Sequence, residues 1–307
     1  MTVVSSCSSK RAQVAVLLAA YNGTQWLQEQ VDSILNQQGV DVTLFVSVDV
    51  SSDGTEAWFE ELGKQDARVR LLPYGMKFGG AAKNFFRLIR DVDFSNFDYI
   101  SFSDQDDIWI DDKLFTAHEK LSNSEYSAYS CNVTAFWPDG RQVILDKSQK
   151  QREYDFVFEA AGPGCSYVLS VSQALRFKAF LVENWSVANE VSLHDWLAYA
   201  WYRSNKIAWF IDPSSKILYR QHSNNQVGAN KGIKALVARL ALMRSGWYRN
   251  EISKISSLLS TNLPQLPVAL VRRGEVPFSF LVKNLNSTRR RFRDRVLLAV
   301  VIVFGIY

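Results

Sequence analysis

The sequence predicts an α/β protein with a mostly parallel central sheet, flanking helices and a basic helical extension. Short apolar runs alternate with segments of helical period over the first 115 residues, which is typical of strand–helix–strand units. The charge is also divided, since residues from Lys231 onward include 14 Lys/Arg and 3 Asp/Glu, and the first 230 include 21 and 28. We therefore expect a flexible N-terminus at 1–12, an acidic globular domain at 13–230 and a basic tail at 231–307.

The first half of the domain is predicted to hold four buried strands and the helices between them. The apolar runs that predict strands are 13–20, 42–48, 68–73 and 98–102. Helices are expected at 26–37, at 81–90 and around the apolar face of Trp58, Phe59 and Leu62. Polar loops at 21–24, 49–55 and 103–107 follow three of the strands. Because ligands of such sheets bind beyond the carboxyl ends of the strands, these loops are expected to converge.

The second half of the domain has a looser pattern. Strands are expected at 127–137, 142–145, 166–170, 207–211 and 217–221, and helices at 172–181 and 194–202. A glycine-rich bend at 159–165 precedes the third of these strands.

The tail predicts contact with a membrane surface. A basic amphipathic helix is expected at 233–248, followed by an arginine-rich segment at 285–295 and an apolar one at 296–307. The last is shorter than the roughly 20 residues that span a bilayer, so an interfacial anchor on an anionic leaflet is expected. A packing or oligomerisation helix, or a span cut short at the end of this chain, are the alternatives.

Cysteine usage and the first residues predict a cytoplasmic protein, and the tail predicts that it is peripheral on the inner face of the plasma membrane. Cys7, Cys131 and Cys165 are far apart and include no Cys-x-x-Cys pair, which disfavours a disulfide framework and a zinc site. Residues 1–10 are polar and are not followed by the apolar segment of a signal peptide.

Three carboxylates follow the strand at 98–102. Asp104, Asp106 and Asp107 lie within four residues, and clustered like charges need a counter-charge. The usual one is a hard divalent cation, which prefers oxygen ligands and bridges to substrate phosphates. The cluster therefore predicts a site for a divalent cation, with a solvated loop in which Asp107 caps the next helix as the alternative.

Five motifs in order make the chain resemble glycosyltransferase family 2, inverting enzymes of the Rossmann-like GT-A fold, over about residues 14–230. They are Ala-Ala-Tyr-Asn-Gly at 19–23, Asp-Val-Ser-Ser-Asp-Gly-Thr at 49–55, Ser-Asp-Gln-Asp-Asp-Ile-Trp at 103–109, His-Asp-Trp at 194–196 and Arg-Gln-His-Ser-Asn-Asn-Gln at 220–226. More narrowly, the chain is similar to bacterial rhamnosyltransferase-type members. The resemblance implies transfer of L-rhamnose from dTDP-L-rhamnose to a saccharide or lipid-linked acceptor in surface polysaccharide or O-antigen synthesis. A UDP-hexose or UDP-N-acetylhexosamine donor stays open.

The resemblance also implies residues that bind the nucleotide. They are Ala20, Tyr21, Asn22, Asp49, Lys83 and Asp104. Asp49 would accept the N3–H of uracil or thymine, which suits an acceptor-only carboxylate. Lys83 would meet a phosphate or the base, unless it is a solvated lysine at a helix start. Val50 replaces the family's more usual second aspartate, and Asp53 has the plainer expected role of capping the second helix.

The remaining implied residues carry the chemistry. Asp106 would bind Mg²⁺ or Mn²⁺, and His222 would complete the metal shell or contact the diphosphate. Asp195 would be the general base, unless it is only a helix-start residue favoured by the dipole. His194 need not share that role, because adjacent helical residues point about 100° apart. Further phosphate or sugar contacts are expected from Arg220, Gln226 and Trp196. In the bend, Gly164 is interpreted as giving backbone access and Cys165 as packing.

Two other classes of protein are less compatible with the sequence. A nucleotidyltransferase of related architecture would carry a glycine-rich loop with Arg and Lys after the first strand, where this chain has Ala-Tyr-Asn-Gly. A non-catalytic protein could use the basic tail on nucleic acid, but the tail contains no recognisable nucleic-acid module, so no nucleic-acid partner is expected.

Overall fold

The computed structural model describes residues 10–222 and 241–305. Its nine-stranded sheet has the order β3-β2-β1-β4-β8-β6-β9-β5, with β7 paired to β6. The strands are β1 Ala12–Ala20, β2 Val40–Val48, β3 Val69–Leu71, β4 Tyr99–Ser103, β5 Ile108–Trp109, β6 Ala128–Phe136, β7 Gln142–Leu145, β8 Val168–Ser170 and β9 Trp209–Arg220.

The strand register brings the predicted polar loops to one edge of the sheet. β1 is parallel to both β2 and β4, with Ala20 opposite Val48 and Leu18 opposite Ser103. The three strands therefore end at nearly the same level, and the loops that follow them are neighbours. The predicted α/β class with a mostly parallel sheet at this end is confirmed.

The second half of the sheet differs from the prediction in two strands. The expected strands 207–211 and 217–221 form one strand, β9, which pairs with β6 through two register shifts. A turn at Asp212 interrupts the apolar pattern there, since Asp212 Oδ1 accepts the Ser214 backbone N–H at 2.7 Å. The two-residue β5 was not predicted, because so short a segment has no detectable period.

Helices cover both faces of the sheet. They are α1 Leu27–Leu35, α2 Thr55–Gln65, α3 Ala81–Asp91, α4 Lys113–Ser122, α5 Asp155–Phe158, α6 Val171–Glu183, α7 Trp185–Ala188 and α8 His194–Ser204. Alternate residues of β1 belong to separate cores, since Val16 packs with α1, α2 and α4, and Leu17 packs with α3, α6 and α8. This two-sided burial explains why the strands are continuous apolar runs.

The tail packs against the second of these cores. Its described helices are α9 Trp247–Leu258, α10 Val268–Arg273, α11 Phe278–Thr288 and α12 Phe292–Val303. Ile252, Leu270, Leu281 and Leu298 join the cluster that contains Phe85 of α3. Half of the helix predicted at 233–248 lies outside the described residues, and residues 241–244 within them are helical. Within the described ranges, no helix is both long and apolar enough to cross a bilayer.

Several side chains of the arginine-rich segment are internal and bind other parts of the protein. The Arg290 side chain is 1% exposed. Its Nη2 donates to the carbonyl oxygens of Ala160 and Ala161 at 2.7 and 3.3 Å, and its backbone N–H donates to Glu159 Oε1 at 2.6 Å. Arg293, in contrast, is 75% exposed. The segment therefore ties the tail to the glycine-rich bend.

Candidate active site

The loop after β1 is fastened to the aspartate cluster by Gln105, the middle residue of Asp-Gln-Asp. The Tyr21 backbone N–H donates to Gln105 Oε1 at 2.7 Å, and Gln105 Nε2 donates to the Tyr21 carbonyl at 2.8 Å. A Cβ at position 23 would clash with the Gln105 amide, so Gly23 allows this close approach. Sequence reasoning missed this role, although an amide side chain offers both a donor and an acceptor.

The loops after β1 and β2 are joined by Asn22 and Asp53. Asn22 Oδ1 accepts the Ser52 backbone N–H at 2.8 Å. Asp53 Oδ1 accepts the Thr55 backbone N–H at 3.0 Å, which confirms its predicted role at the start of α2, from the position before the N-cap. Asp53 Oδ2 accepts the backbone N–H of Thr24, also at 3.0 Å. One carboxylate thus starts a helix and holds two loops together.

Asp49 is buried at the end of β2 and orders the loop that precedes α3. Its Oδ1 accepts the backbone N–H groups of Val50 and Phe78 at 2.8 and 2.9 Å, and its Oδ2 accepts that of Gly79 at 2.9 Å. The Asp49 backbone N–H donates to the Ala20 carbonyl at 2.8 Å. The residues expected around a nucleobase therefore share one network.

Lys83, the remaining residue predicted to bind the nucleotide away from the aspartate cluster, forms an exposed ion pair. Its Nζ lies 3.4 Å from Glu190 Oε1. Exposed pairs of this kind contribute little to stability, so the pairing leaves the lysine accessible to another anion.

The aspartate cluster is short of positive charge. Ligand atoms of Asp104, Asp107 and Cys165 lie within 4.8 Å of one another. Burial, followed by repulsion from Asp106 and Asp195, raises the pKa of Asp104 to about 7. Asp107 Oδ1 accepts the Arg220 backbone N–H at 3.1 Å, and among the described residues its buried Oδ2 has no hydrogen-bond partner. Carboxylates in this state fit a divalent cation, whereas the Cys165 sulfur is too soft a ligand for Mg²⁺ or Mn²⁺.

His222 closes one side of the cluster. Its Nε2 lies 2.8 Å from Asp106 Oδ2, and its ring stacks on Trp26 at a centroid distance of 4.1 Å. Trp26 was not predicted to belong to the site, because a tryptophan at a helix start is usually a packing residue. The structure thus brings together Asp106 and His222, the two residues predicted to bind metal.

Arg220 positions the cluster rather than reaching out of it. Its Nε donates to the Asp106 carbonyl at 2.9 Å, and its Nη2 donates to Glu29. The guanidinium carbon lies 4.7 Å from the centre of the Phe136 ring. The guanidinium predicted to contact phosphate or sugar therefore already holds the aspartate loop against α1 and β9.

A buried lysine lies beneath the cluster and was missed by sequence reasoning. Lys113 Nζ donates to Ser101 Oγ at 3.0 Å and lies 3.2 Å from the centre of the Trp109 ring. Burial lowers the pKa of Lys113 to about 7, partly offset by Cys131, Cys165 and Asp107. Lys113 is the first residue of α4, and nothing local in the sequence indicates that its side chain points inward.

Asp195 is the second residue of α8 and lies near the aspartate cluster. Its Oδ1 accepts the Trp196 backbone N–H at 2.7 Å. Burial raises the pKa of Asp195 to about 6, and this charge in turn acts on Asp104. A Cβ at Gly164 would lie 3.2 Å from Asp195 Cβ, so the glycine lets the bend approach the start of α8. A partly accessible carboxylate with a raised pKa suits a general base.

The residues on either side of Asp195 are structural. His194 stacks on Phe85 at 3.8 Å, and burial lowers its pKa to about 3, so the ring is neutral. Trp196 is 3% exposed, and its Nε1 donates to the Phe156 carbonyl at 2.9 Å. This burial corrects the expectation that Trp196 contacts sugar or phosphate. Gln226 lies outside the described residues.

Comparison with known proteins decides the family. The model for glycosyl transferase family 2 matches residues 15–180, and a dTDP-rhamnosyl transferase, RfbG of Shigella flexneri, is 41% identical over 94% of this chain and 100% of its own length. The chain belongs to glycosyltransferase family 2. As a family 2 enzyme, it is a glycosyltransferase.

Other similar proteins are more distant. The glucosyltransferase WfgD of Escherichia coli, which is named for the acceptor α-D-GlcNAc-diphosphoundecaprenol, is 32% identical over 33% of this chain and 38% of its own length. The crystal structure of S. aureus TarS 1–349 in complex with UDP-GlcNAc has a TM-score of 0.58 at 12% identity, covering 90% of this chain and 73% of that one. That likeness confirms the predicted GT-A fold.

Proposed function

We propose that this family 2 enzyme transfers L-rhamnose from dTDP-L-rhamnose, with inversion, to a saccharide or lipid-linked acceptor in surface polysaccharide or O-antigen synthesis. The observation that carries the donor is the 41% identity to a dTDP-rhamnosyl transferase along that relative's whole length. A UDP-hexose or UDP-N-acetylhexosamine is the alternative donor.

The nucleotide is proposed to lie along Ala20, Tyr21 and Asn22, with its base against Asp49 and its phosphates near Lys83 and Asp104. The Asp49 carboxylate binds three backbone N–H groups and has room for about one more donor. A pyrimidine N3–H fits that position. Thymine and uracil share this group, so Asp49 would select the class of base and not the sugar.

The metal is proposed to be Mg²⁺ or Mn²⁺, held by Asp106 and His222 with Asp104 beside them. The support is the observed carboxylate cluster, whose burial and mutual repulsion leave it in need of a cation. When bound, such a cation neutralises the charge of the diphosphate leaving group.

Asp195 is proposed to be the general base. It takes the proton of the acceptor hydroxyl as the oxygen forms a bond to C1 of the sugar. On the opposite face of the ring, the bond between C1 and the diphosphate oxygen breaks, which gives inversion. A pKa of about 6 leaves Asp195 ionised at neutral pH yet more basic than an ordinary carboxylate.

Attachment to the membrane surface is proposed for the apolar face of the tail. Exposed apolar residues recur at helical spacing along α12 and continue onto α11: Phe292, Val296, Val300, Val303, Phe278 and Val282. This face, rather than the internal arginines, would lie in the interface, with exposed Arg293 at its border. We expect co-sedimentation with anionic vesicles, loss of it on V296S/V300S, and no loss on V187S, an equally exposed valine elsewhere. If wild-type protein instead stays in the supernatant as a dimer, the apolar face would bind a second copy of the chain and not a membrane.

The donor is tested by isothermal titration. dTDP-rhamnose, UDP-glucose and UDP-N-acetylglucosamine are titrated with Mg²⁺ or Mn²⁺ into wild type, Asp106→Ala and the exposed control Asp139→Ala. We expect metal-dependent binding of dTDP-rhamnose that is lost in Asp106→Ala and kept in Asp139→Ala. Preference for a UDP-sugar would establish the alternative donor, and binding of none of the three would contradict the proposed transferase site.

A further inference from the structure

Lys147 is a cation near Asp195, and it has no role in the mechanism proposed above. It follows β7, and its backbone N–H donates to Asn132 Oδ1 at 2.6 Å, which fixes the residue to the sheet. Its side chain runs under the glycine-rich bend, since a Cβ at Gly162 would lie 3.5 Å from Lys147 Cγ. The same bend approaches Asp195 at Gly164, two residues later. Lys147 and Asp195 therefore flank one bend.

The ammonium of Lys147 has no close partner among the residues that the structure describes. No hydrogen bond and no ion pair within 4 Å reaches its Nζ there, although the side chain is partly buried. Its charged surroundings are mixed: Glu159 and Asp294 attract it, and Arg290 and Arg291 repel it. The Lys147 charge also acts on Asp195, whose pKa it lowers in part. Arg290 binds Glu159 and the bend, and Arg291 donates to the carbonyl of Asp146, the residue after β7. Burial lowers the pKa of Lys147.

Lys147 is only partly buried and no described group pairs with its Nζ, so the ammonium beside the general base is accessible to a ligand group of opposite charge. The ligand here is on the acceptor side, because the donor diphosphate belongs at Asp104 and Asp106, and Lys147 lies next to the base. We infer that Lys147 binds a phosphate group of the acceptor, a specificity contact that rests on the proposed function. The acceptor named for WfgD, a lipid diphosphate, has such a group close to its sugar.

The test measures binding of three probes to enzyme saturated with dTDP and Mg²⁺, so that the donor site is already filled. The probes are a farnesyl-diphosphate-linked N-acetylglucosamine, N-acetylglucosamine 1-phosphate, and the uncharged octyl glycoside of the same sugar. They are titrated into wild type, Lys147→Met, Lys147→Arg and the control Lys150→Met, an exposed lysine three residues away.

We expect Lys147→Met to weaken binding of a phosphate-bearing probe about tenfold or more, because one charge-assisted contact is lost, and to leave the glycoside unchanged. Lys147→Arg and Lys150→Met should bind like wild type. Loss with both phosphates would show that the phosphate suffices, and loss with the farnesyl probe alone would assign it to a lipid carrier. Equal effects on charged and uncharged probes, or none, would overturn the inference. Failure of the proposed donor would appear separately, in the titration with dTDP-rhamnose.

Discussion

Arg290 offers the sharpest test of how the tail is attached, because an exposed arginine three residues away is its control. In Arg290→Met, the Nη2 donor to the carbonyls of Ala160 and Ala161 is lost. The carboxylates of Asp155 and Glu159, at 3.8 and 3.7 Å, lose a counter-charge at the same time. Each buried bond to a charged donor is worth about 1.5–3 kcal/mol, and breaking a buried ion pair costs about 3–5 kcal/mol.

The loss is expected near the lower end of these ranges, because Asp155 keeps an ion pair with Arg203 at 3.1 Å. We predict that Arg290→Met lowers the free energy of unfolding by about 3 kcal/mol, and that Arg293→Met changes it by less than about 0.5 kcal/mol. Urea unfolding followed by tryptophan fluorescence measures both. Equal effects of the two substitutions would refute the internal role of Arg290 and would indicate that its side chain is exposed like that of Arg293.

Three further predictions concern the site. The kcat/KM of wild type should fall about tenfold per unit below a pKa of about 6, where Asp195 is protonated, and Asp195→Asn should lower kcat by about 10²-fold or more; a flat profile would exclude Asp195 as base. His194 is neutral when folded, so its stabilising effect is present above its unfolded pKa of about 6.5 and is lost as the pH falls toward 3. The free energy of unfolding from urea titrations should be about 2 kcal/mol lower at pH 5.0 than at pH 7.5, beyond any change seen in His194→Phe. The same change with pH in both proteins would contradict this. Gln105→Leu removes both hydrogen bonds to the Tyr21 backbone and should raise the donor Kd about tenfold. Wild-type affinity in this variant would show that these bonds are not needed to order the donor site.

The parallel half of the fold is predictable because every strand is an apolar run that ends in a polar loop. That pattern follows from burial on both faces, as Val16 and Leu17 of β1 show by lying in different cores. β9 could not be recognised as one strand, since the turn at Asp212 breaks its apolar pattern while the ladder continues through register shifts. Pairing across such a turn is decided by β6, which lies far away in the sequence.

The site residues were predictable where the residue type and its position at the end of a strand or the start of a helix indicate a chemical role. Asp104, Asp106 and Asp195 are carboxylates at strand or helix ends, and the structure brings them together. Arg290 and Lys113 were not predictable, because their side chains are placed by partners distant in the sequence. The Arg290 backbone N–H donates a hydrogen bond to Glu159, which is 131 positions away in the sequence. The composition of an arginine-rich segment does not tell whether its side chains face lipid or a buried carboxylate.

The central claim is that this enzyme moves rhamnose with Asp195 as base, and transfer itself tests it most directly. Radiolabelled dTDP-rhamnose is incubated with Mg²⁺, membranes from a strain lacking this gene, and either wild type or Asp195→Asn, and label in the lipid extract is counted. We expect label with wild type and at least a hundredfold less with Asp195→Asn, under conditions where both bind dTDP-rhamnose equally. Equal label with the two proteins, or label only from a UDP-sugar, would contradict it.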